Sequence, residues 1–125
     1  MGNTVILIVE DNEKNLKLVR DLLQFKGYQT LEAGNAEEGV SLALAHHPNL
    51  ILMDIQLPGM DGVTALAHLR SEAVTAAIPV IALTAFAMKD DRARLLGAGF
   101  DGYIVKPINI REFLEQVQQF LERAG

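Results

Sequence analysis

The sequence predicts an α/β fold, doubly wound, in which five helices cover the two faces of a five-stranded parallel sheet with strand order 2-1-3-4-5. Three observations support this prediction. Apolar runs of strand length alternate with segments of helical spacing along the whole chain. Three of those runs are unbroken, which is typical of strands that helices bury on both sides. The 125 residues suit one compact domain, and right-handed crossovers leave few topologies for five such units.

The first unit begins with an unbroken apolar run, which predicts a strand at Val5–Val9. A helix is predicted at about Glu13–Phe25, because apolar residues recur there at helical spacing and charged residues fill the opposite face. Gly27 closes this helix, since a glycine in the left-handed conformation commonly ends one. The second strand is predicted at Tyr28–Glu32.

The second helix is predicted at about Ala36–His46. Pro48 stops it, because the residue before a proline disfavours the helical conformation. Another apolar run predicts the third strand at Leu50–Met53. The third helix follows Gly62 and places its leucines inward.

The fourth strand is predicted at Val80–Leu83 and the fourth helix at about Met88–Leu96. Gly97 and Gly99 follow this helix, and glycines in that position favour its termination. The fifth strand is then predicted at Gly102–Val105.

The last helix, at about residues 110–123, has a clear amphipathic pattern. Five apolar residues are predicted to form its buried side: Phe113, Leu114, Val117, Phe120 and Leu121. The sequence shows no repeat or low-complexity segment, so we expect residues 1–125 to form a single domain.

The composition excludes several functions. Sixteen acidic residues against 11 basic ones give a net charge of −5 with no basic run, which argues against nucleic-acid binding. The absence of cysteine excludes disulfides and thiolate metal sites. The longest mostly apolar stretch, residues 76–88, is shorter than the ~20 residues that span a bilayer. No signal peptide is visible, so a cytoplasmic location without membrane contact is expected.

Polar residues stand at the carboxyl ends of four predicted strands. They are Glu10, Asp11, Asp54, Thr84 and Lys106. Ligands of open parallel sheets bind at this edge, where the winding direction reverses between the first and third strands. Three carboxylates that lie close together require a proton or a cation, and an all-oxygen ligand set favours Mg²⁺.

A magnesium site of this kind can hydrolyse a phosphoryl group from a substrate or accept it on a carboxylate. Asp54 is the central carboxylate, and we predict that it is the nucleophile. Mg²⁺ and Lys106 would neutralise the phosphoryl oxygens, and Thr84 would donate a hydrogen bond to one of them.

Each of these residues alone has an ordinary structural explanation. Asp11 could cap the first helix, and Asp54 could form a turn. Lys106 could be a solvated surface lysine and Thr84 a common residue at a strand end. Their coincidence at matching strand ends favours a site over four independent accidents.

Four motifs in sequence order carry a resemblance to the CheY-like receiver domains of two-component response regulators, a flavodoxin-like fold. They are Ile-Val-Glu-Asp-Asn at 8–12, Leu-Met-Asp-Ile-Gln-Leu-Pro-Gly-Met-Asp-Gly at 52–62, Leu-Thr-Ala at 83–85 and Lys-Pro at 106–107. Residues 10–15 and 83–89 resemble the DivK-like, single-domain subgroup and the receivers of hybrid histidine kinases in particular.

The resemblance implies that Asp54 is phosphorylated from a phosphohistidine, carried by a histidine kinase or a histidine phosphotransfer protein. It also implies that Asp11 and Asp54 bind Mg²⁺ directly, that Glu10 assists through water, and that the backbone carbonyl of Gln56 is a further ligand. Glu10 replaces the aspartate of many relatives. Ala85 has the small side chain that the family requires beside the phosphoryl group.

The resemblance further implies a signalling mechanism. The Lys106–Pro107 peptide bond is usually cis in this family, which would aim the ammonium group inward. Phosphorylation would draw Thr84 inward and leave space for Tyr103 to rotate inward. The face formed by the fourth helix, fifth strand and fifth helix would then change shape and bind a downstream protein partner. Tyr103 could instead be a static strand residue.

Three rival interpretations remain open at this stage. A Mg²⁺-dependent phosphohydrolase would need a second acid and a cap domain, neither of which is visible. A flavin carrier would need a phosphate-binding loop where Glu10 and Asp11 stand. The chain could also be a domain of a larger kinase, although Met1 and the clean end favour an independent protein. We expect no enzymatic activity beyond its own phosphorylation and dephosphorylation.

Overall fold

The computed structural model describes residues 4–85 and 88–124, and these residues form five strands and five helices. The strands are β1 (Val5–Val9), β2 (Gln29–Ala33), β3 (Leu50–Asp54), β4 (Val80–Thr84) and β5 (Gly102–Val105). The helices are α1 (Glu13–Phe25), α2 (Ala36–His46), α3 (Gly62–Ser71), α4 (Lys89–Ala98) and α5 (Ile110–Ala124). Phe86 and Ala87 of the motif at 83–89 lie outside the described residues.

The five strands form one parallel sheet in the order β2-β1-β3-β4-β5, which confirms the predicted topology. The winding direction reverses between β1 and β3. Val9 pairs with Met53 there, so the two strands end within one residue of each other. On the other side of β3, Asp54 pairs with Leu83. The carboxyl ends of the central strands therefore meet at one edge, as expected for parallel strands.

Helices cover both faces of the sheet and form two separate apolar cores. On one face, α2, α3 and α4 pack against the sheet around residues such as Met53, Leu66 and Leu95. On the other face, α1 and α5 pack around residues such as Leu52 and Phe113. Alternate residues of each central strand point to the two cores, which explains why these strands are apolar throughout.

Some element boundaries differ from the prediction. Tyr28 lies before β2, because its backbone N–H donates to the carbonyl oxygen of Leu23 and so belongs to the end of α1. Asp54 and Thr84 are the last residues of their strands rather than the first residues beyond the apolar runs. Gly97 does not end α4; the helix continues to Ala98, and Gly99 closes it at φ 112°.

Asparagine and aspartate side chains cap four of the helices, with Asn109 accepting a hydrogen bond from the backbone of Glu112 at the start of α5. Asn12 accepts a hydrogen bond from the backbone of Asn15 at 3.0 Å, and Asp61 accepts one from Thr64 at 2.8 Å. Asn35 caps α2 in the same way. The alternative in which Asp11 caps α1 is therefore wrong, which leaves that carboxylate available for another role.

A network of hydrogen bonds around Arg70 ties the carboxyl end of α3 to the loops that precede β4 and β5. The guanidinium group donates to the carbonyl oxygens of Ala76, Ile78 and Gly99 at 2.7 to 3.2 Å. It also forms an ion pair with Asp101 at 2.8 Å. Asp101 Oδ2 in turn accepts a hydrogen bond from the backbone of Val80. This network lies at the amino end of β4, the opposite end from Asp54.

The described helices are too short and too polar to serve as membrane spans. The longest, α5, has 15 residues and carries charged side chains along one face.

Candidate functional site

The predicted site residues come together at the carboxyl edge of the sheet. Glu10 and Asp11 directly follow β1, Asp54 ends β3, Thr84 ends β4, and Lys106 directly follows β5. Parallel pairing brings these strand ends to one side of the molecule, although the residues are separated by up to 96 positions in sequence.

Three carboxylates form the centre of the site. One oxygen from each of Glu10, Asp11 and Asp54 lies within 4.8 Å of the other two. Glu10 is 1% exposed and Asp54 is 5% exposed, whereas Asp11 is open to solvent. The cluster is therefore accessible to solvent through Asp11. Such spacing suits a shared cation, because carboxylates this close repel each other unless a positive charge or a proton lies between them.

The Lys106 ammonium group bridges the two buried carboxylates. Its Nζ lies 2.9 Å from Glu10 Oε1 and 3.0 Å from Asp54 Oδ2. The Lys106–Pro107 peptide bond is cis, as the resemblance implied. The Lys106 backbone N–H donates to the carbonyl oxygen of Thr84 at 2.7 Å, which continues the pairing of β5 with β4 beyond the strand. The bland alternative of a solvated lysine is wrong, since this side chain is 20% exposed.

The environment shifts the protonation of this pair. The pKa of Glu10 is raised from 4.5 to about 7, chiefly by burial and then by a hydrogen bond with Asp54, while the Lys106 ammonium opposes both effects. Burial also acts on Lys106, where it lowers the pKa, but contacts with Glu10 and Asp54 outweigh it and the pKa of the ammonium is raised. The site therefore favours a positive charge on Lys106 and a proton or cation at Glu10.

The loop after β3 holds Asp54 in place. The Gln56 backbone N–H donates to Asp54 Oδ1 at 2.9 Å, and the Ile55 N–H donates to the Leu83 carbonyl oxygen at 3.3 Å. Gly62 begins α3 directly beneath this loop. A Cβ atom there would lie 2.8 Å from the Asp54 carbonyl oxygen and 2.8 Å from Ile55 Cα, so only glycine fits.

Gly62 and Asn12 are site residues that the sequence analysis did not identify as such. The backbone of Asn12 donates to Glu10 Oε2 at 3.2 Å and so helps to orient that carboxylate. The Asp-Gly pair at 61–62 could have indicated the tight helix start, because an N-cap followed by glycine allows close approach of the backbone. No sequence pattern indicates the Asn12 contact, which depends on the turn after β1.

Thr84 and Tyr103 lie on the same face of the sheet. Ala82 pairs directly with Tyr103, and Thr84 pairs with Val105. Strand alternation places Thr84 on the side of Ala82, which belongs to the core beneath α3 and α4. Thr84 is buried, while Tyr103 packs against the edge of the same core and is partly exposed. Ala82, the strand partner of Tyr103 on this face, has only a small side chain.

The ligand set fits a hard divalent cation. All three carboxylates offer oxygen, and magnesium prefers oxygen ligands and keeps several waters, which the exposed side at Asp11 allows. Glu10 Oε1 is buried and receives no hydrogen bond of good geometry from the described residues, so its 2.9 Å contact with the Lys106 ammonium is an ion pair. A buried carboxylate oxygen without such a hydrogen bond favours a cation nearby.

Comparison with known proteins gives one consistent result. The model of the response regulator receiver domain matches residues 6–118. The polar-differentiation response regulator DivK of Brucella ovis is 47% identical over 116 residues, which cover 93% of this chain and 94% of that protein. DivK of Brucella anthropi has the same identity and coverage.

Solved structures agree with the fold. The receiver domain of the sensor histidine kinase PA1611 of Pseudomonas aeruginosa, which holds a magnesium ion in its active-site cleft, is 32% identical with a TM-score of 0.88. The match covers 96% of this chain and 98% of that one. A CheY-like receiver domain protein of Methanospirillum hungatei is 33% identical with a TM-score of 0.88, covering 98% and 96% of the two chains.

Proposed function

This chain belongs to the response regulator receiver domain family of two-component signalling, and on that premise we propose that Asp54 is the residue that accepts the phosphoryl group. One observation supports this proposal above all. The Lys106 ammonium group bridges Asp54 and Glu10, and the Asp11 carboxylate lies beside them. Asp54 ends the central strand, is held by the Gln56 backbone, and presents its other oxygen to the ammonium group.

The metal site that we propose uses Asp11 and Asp54 as direct ligands, Glu10 through water, and the Gln56 backbone carbonyl as a further ligand. When bound, Mg²⁺ would neutralise charge on the transferring phosphoryl group. The clustered oxygens support this assignment, and the magnesium ion in the related PA1611 receiver domain adds to it.

The proposed reaction is an in-line transfer. An Asp54 carboxylate oxygen forms a bond to phosphorus while the bond from phosphorus to the donor imidazole nitrogen breaks, and the electron pair stays on that nitrogen. Lys106 is positioned to pair with a phosphoryl oxygen once its contact with Asp54 is released. Thr84, buried at the end of β4, would donate a hydrogen bond to another oxygen.

The proposed signal is a change in the face formed by α4, β5 and α5. A phosphoryl group adds about −1.5 to −2 charges, which would draw Thr84 and Lys106 toward Asp54. Movement of Thr84 would open space on its own side of the sheet, where Tyr103 also lies. Tyr103 would then rotate inward. Phosphorylation shifts this equilibrium only by the difference in its interaction with the two states.

Receiver domains interact with histidine kinases and with downstream effectors. For this chain we propose a histidine kinase or a histidine phosphotransfer protein as the donor, and a downstream protein as the partner of the changed face. We also propose a cytoplasmic location, because the histidine kinase that would donate the phosphoryl group obtains ATP there. The proposal also includes a single receiver domain over residues 1–125, which one continuous sheet supports. Its chemistry is limited to its own phosphorylation and dephosphorylation.

Incubation with acetyl phosphate and Mg²⁺ tests the acceptor. We expect intact-mass analysis to show one added phosphoryl group on the wild-type protein and none on Asp54→Asn. Asp61→Asn is the matched control, because Asp61 lies in the same loop region but caps α3, and asparagine caps equally well. Phosphorylation of Asp54→Asn at the wild-type rate would disprove the assignment. Continuous release of phosphate from added phosphate esters would instead indicate a hydrolase.

A further inference from the structure

Arg92 makes a contact that the proposed mechanism does not yet use. Its guanidinium carbon lies over the Tyr103 ring, 5.7 Å from the ring centroid, within the range of cation–π attraction. Arg92 belongs to α4, and Tyr103 belongs to the edge strand β5. The contact therefore joins a helix to the side chain whose rotation carries the proposed signal.

The helix that supplies Arg92 is weakly attached to the sheet. Among the residues of α4, only Leu95 is buried, and the exposed side includes Leu96 at 49%. The contact of Arg92 with Tyr103 adds to this limited packing. By contrast, Arg123 lies over Phe120 at 5.5 Å within α5 itself, so that contact moves with its helix and cannot report a change between elements.

The direction of the effect follows from the position of Tyr103. The ring is partly exposed at the sheet edge, whereas Thr84 and the core residue Ala82 lie further inside on the same face. Rotation of the ring toward Thr84 would withdraw it from the guanidinium group. The attraction to Arg92 therefore stabilises the outer position of Tyr103 and disfavours the inner one.

We propose that Arg92 is a positioning residue that holds Tyr103 at the outer edge of the sheet and thereby sets how readily phosphorylation changes the signalling face. This inference rests on the proposed function, in which Tyr103 moves inward. The usual strength of an exposed cation–π contact corresponds to a factor of about two to five in the equilibrium between the two ring positions. Loss of the contact should shift that equilibrium inward by this factor.

Linkage allows the effect to be measured at the distant acceptor. If inward Tyr103 and an occupied acceptor favour each other, and the outer position predominates in the free protein, a change that promotes the inward position tightens binding at Asp54 by up to the same factor. Beryllium trifluoride, a stand-in for the phosphoryl group, serves as the probe in the presence of Mg²⁺. We expect Arg92→Met to bind it about two to five times more tightly than wild type. Arg92→Lys keeps the cation and should stay near wild type.

Arg94→Met is the matched control. Arg94 lies on the same helix, pairs with Asp91 at 3.6 Å and has a side chain that is 63% exposed, and its loss removes the same charge. It should leave the affinity for beryllium trifluoride unchanged. Equal tightening by Arg92→Met and Arg94→Met would overturn the proposal, because it would show a general effect of charge. Unchanged or weaker binding by Arg92→Met would overturn it as well.

Tyrosine fluorescence provides the second readout. The chain has no tryptophan and two tyrosines, so Tyr28→Phe leaves Tyr103 as the only emitter of its kind. In that background, Arg92→Met should shift the tyrosine emission and its quenching by acrylamide part of the way toward the values of the beryllium trifluoride complex. Arg92→Lys should give the emission and quenching of the protein with Arg92. If the wild type binds the probe but Arg92→Met emits like wild type, only this inference fails. If the wild type takes up neither phosphoryl group nor probe, the proposed function fails with it.

Discussion

Glu10 shows how strongly a single residue depends on its surroundings. It follows an unbroken apolar strand, and that position buries a carboxylate beside a second one. Burial raises its pKa to about 7, while the unfolded chain exposes the same group at its ordinary value of 4.5. Between these two values, the folded protein holds a proton that the unfolded chain lacks.

This difference predicts a pH dependence of stability. The stabilising contribution of Glu10 is fully present below about pH 4.5 and is lost as the pH rises to about 7. Each pKa unit corresponds to about 1.4 kcal/mol, so the loss is about 3 kcal/mol at most. Urea denaturation without divalent cations, repeated across this range, measures it. Glu10→Gln should lack this component.

An exposed glutamate provides the comparison for that experiment. Glu122→Gln, on the outer side of α5, should retain the wild-type dependence on pH. A Glu10→Gln variant with the same slope as wild type would show that another group takes up the proton.

At the scale of elements, the fit between helix and sheet depends on a few close approaches. Gly39 lies in α2 against β1, and a Cβ atom there would lie 2.7 Å from Val9 Cγ2. Gly97 also lies within a helix, yet a Cβ atom there would have no neighbour within 4 Å. Substitutions at these two helical glycines therefore distinguish the effect of close packing on stability from the effect of backbone entropy.

Alanine substitution at the two positions should have opposite effects. Gly39→Ala should lower the free energy of unfolding by about 1–3 kcal/mol, because the methyl group forces α2 away from the sheet. Gly97→Ala should raise it by about 0.5–1 kcal/mol, since alanine favours the helix and nothing obstructs it. Chemical denaturation of both variants tests this. Equal changes of the same sign would contradict the packing argument.

The sequence was most informative where a pattern is local. Unbroken apolar runs located the central strands, and the polar residues that follow strands β1, β3 and β5 identified Glu10, Asp54 and Lys106 as neighbours. The position of α4 was less well predicted, because its apolar pattern is weak and Gly97 suggested an end that the helix passes through.

Contacts between distant segments could not be predicted in this way. Arg70 and Asp101 are 31 positions apart, and neither belongs to a pattern that pairs them. The same holds for Arg92 and Tyr103, whose contact depends on how α4 lies against the edge strand. The choice of Asn12 over Asp11 as the cap depends on the angle at which the chain leaves β1, which sequence spacing does not define.

For the whole molecule, the acidic site is a source of instability that a cation should relieve. Buried carboxylates near one another oppose folding, and a ligand that binds only the folded state stabilises it according to its concentration relative to its dissociation constant. At a concentration 100 times that constant, the gain is about 2.7 kcal/mol.

We therefore expect Mg²⁺ to raise the melting temperature of the protein, and Asp11→Asn to weaken this response. Glu72→Gln removes an exposed acid at the carboxyl end of α3, the opposite end of the sheet from the site, and should retain the full response. Calorimetric scans at several concentrations of MgCl₂ and at constant ionic strength give the comparison. An equal rise for wild type and Asp11→Asn would indicate that the ion acts elsewhere.

The hydrogen bonds of Arg70 determine the form that any rearrangement of α4 can take. They fix the carbonyl of Gly99 and the side chain of Asp101 to the base of β4, so the carboxyl end of the helix is a fixed point. The amino end, near residue 89, lies about 15 Å away along the helix axis. A displacement beginning beside Thr84 would therefore tilt α4 about Gly99. Its amplitude would be largest beside Asp54 and would fall to zero at the opposite side of the domain.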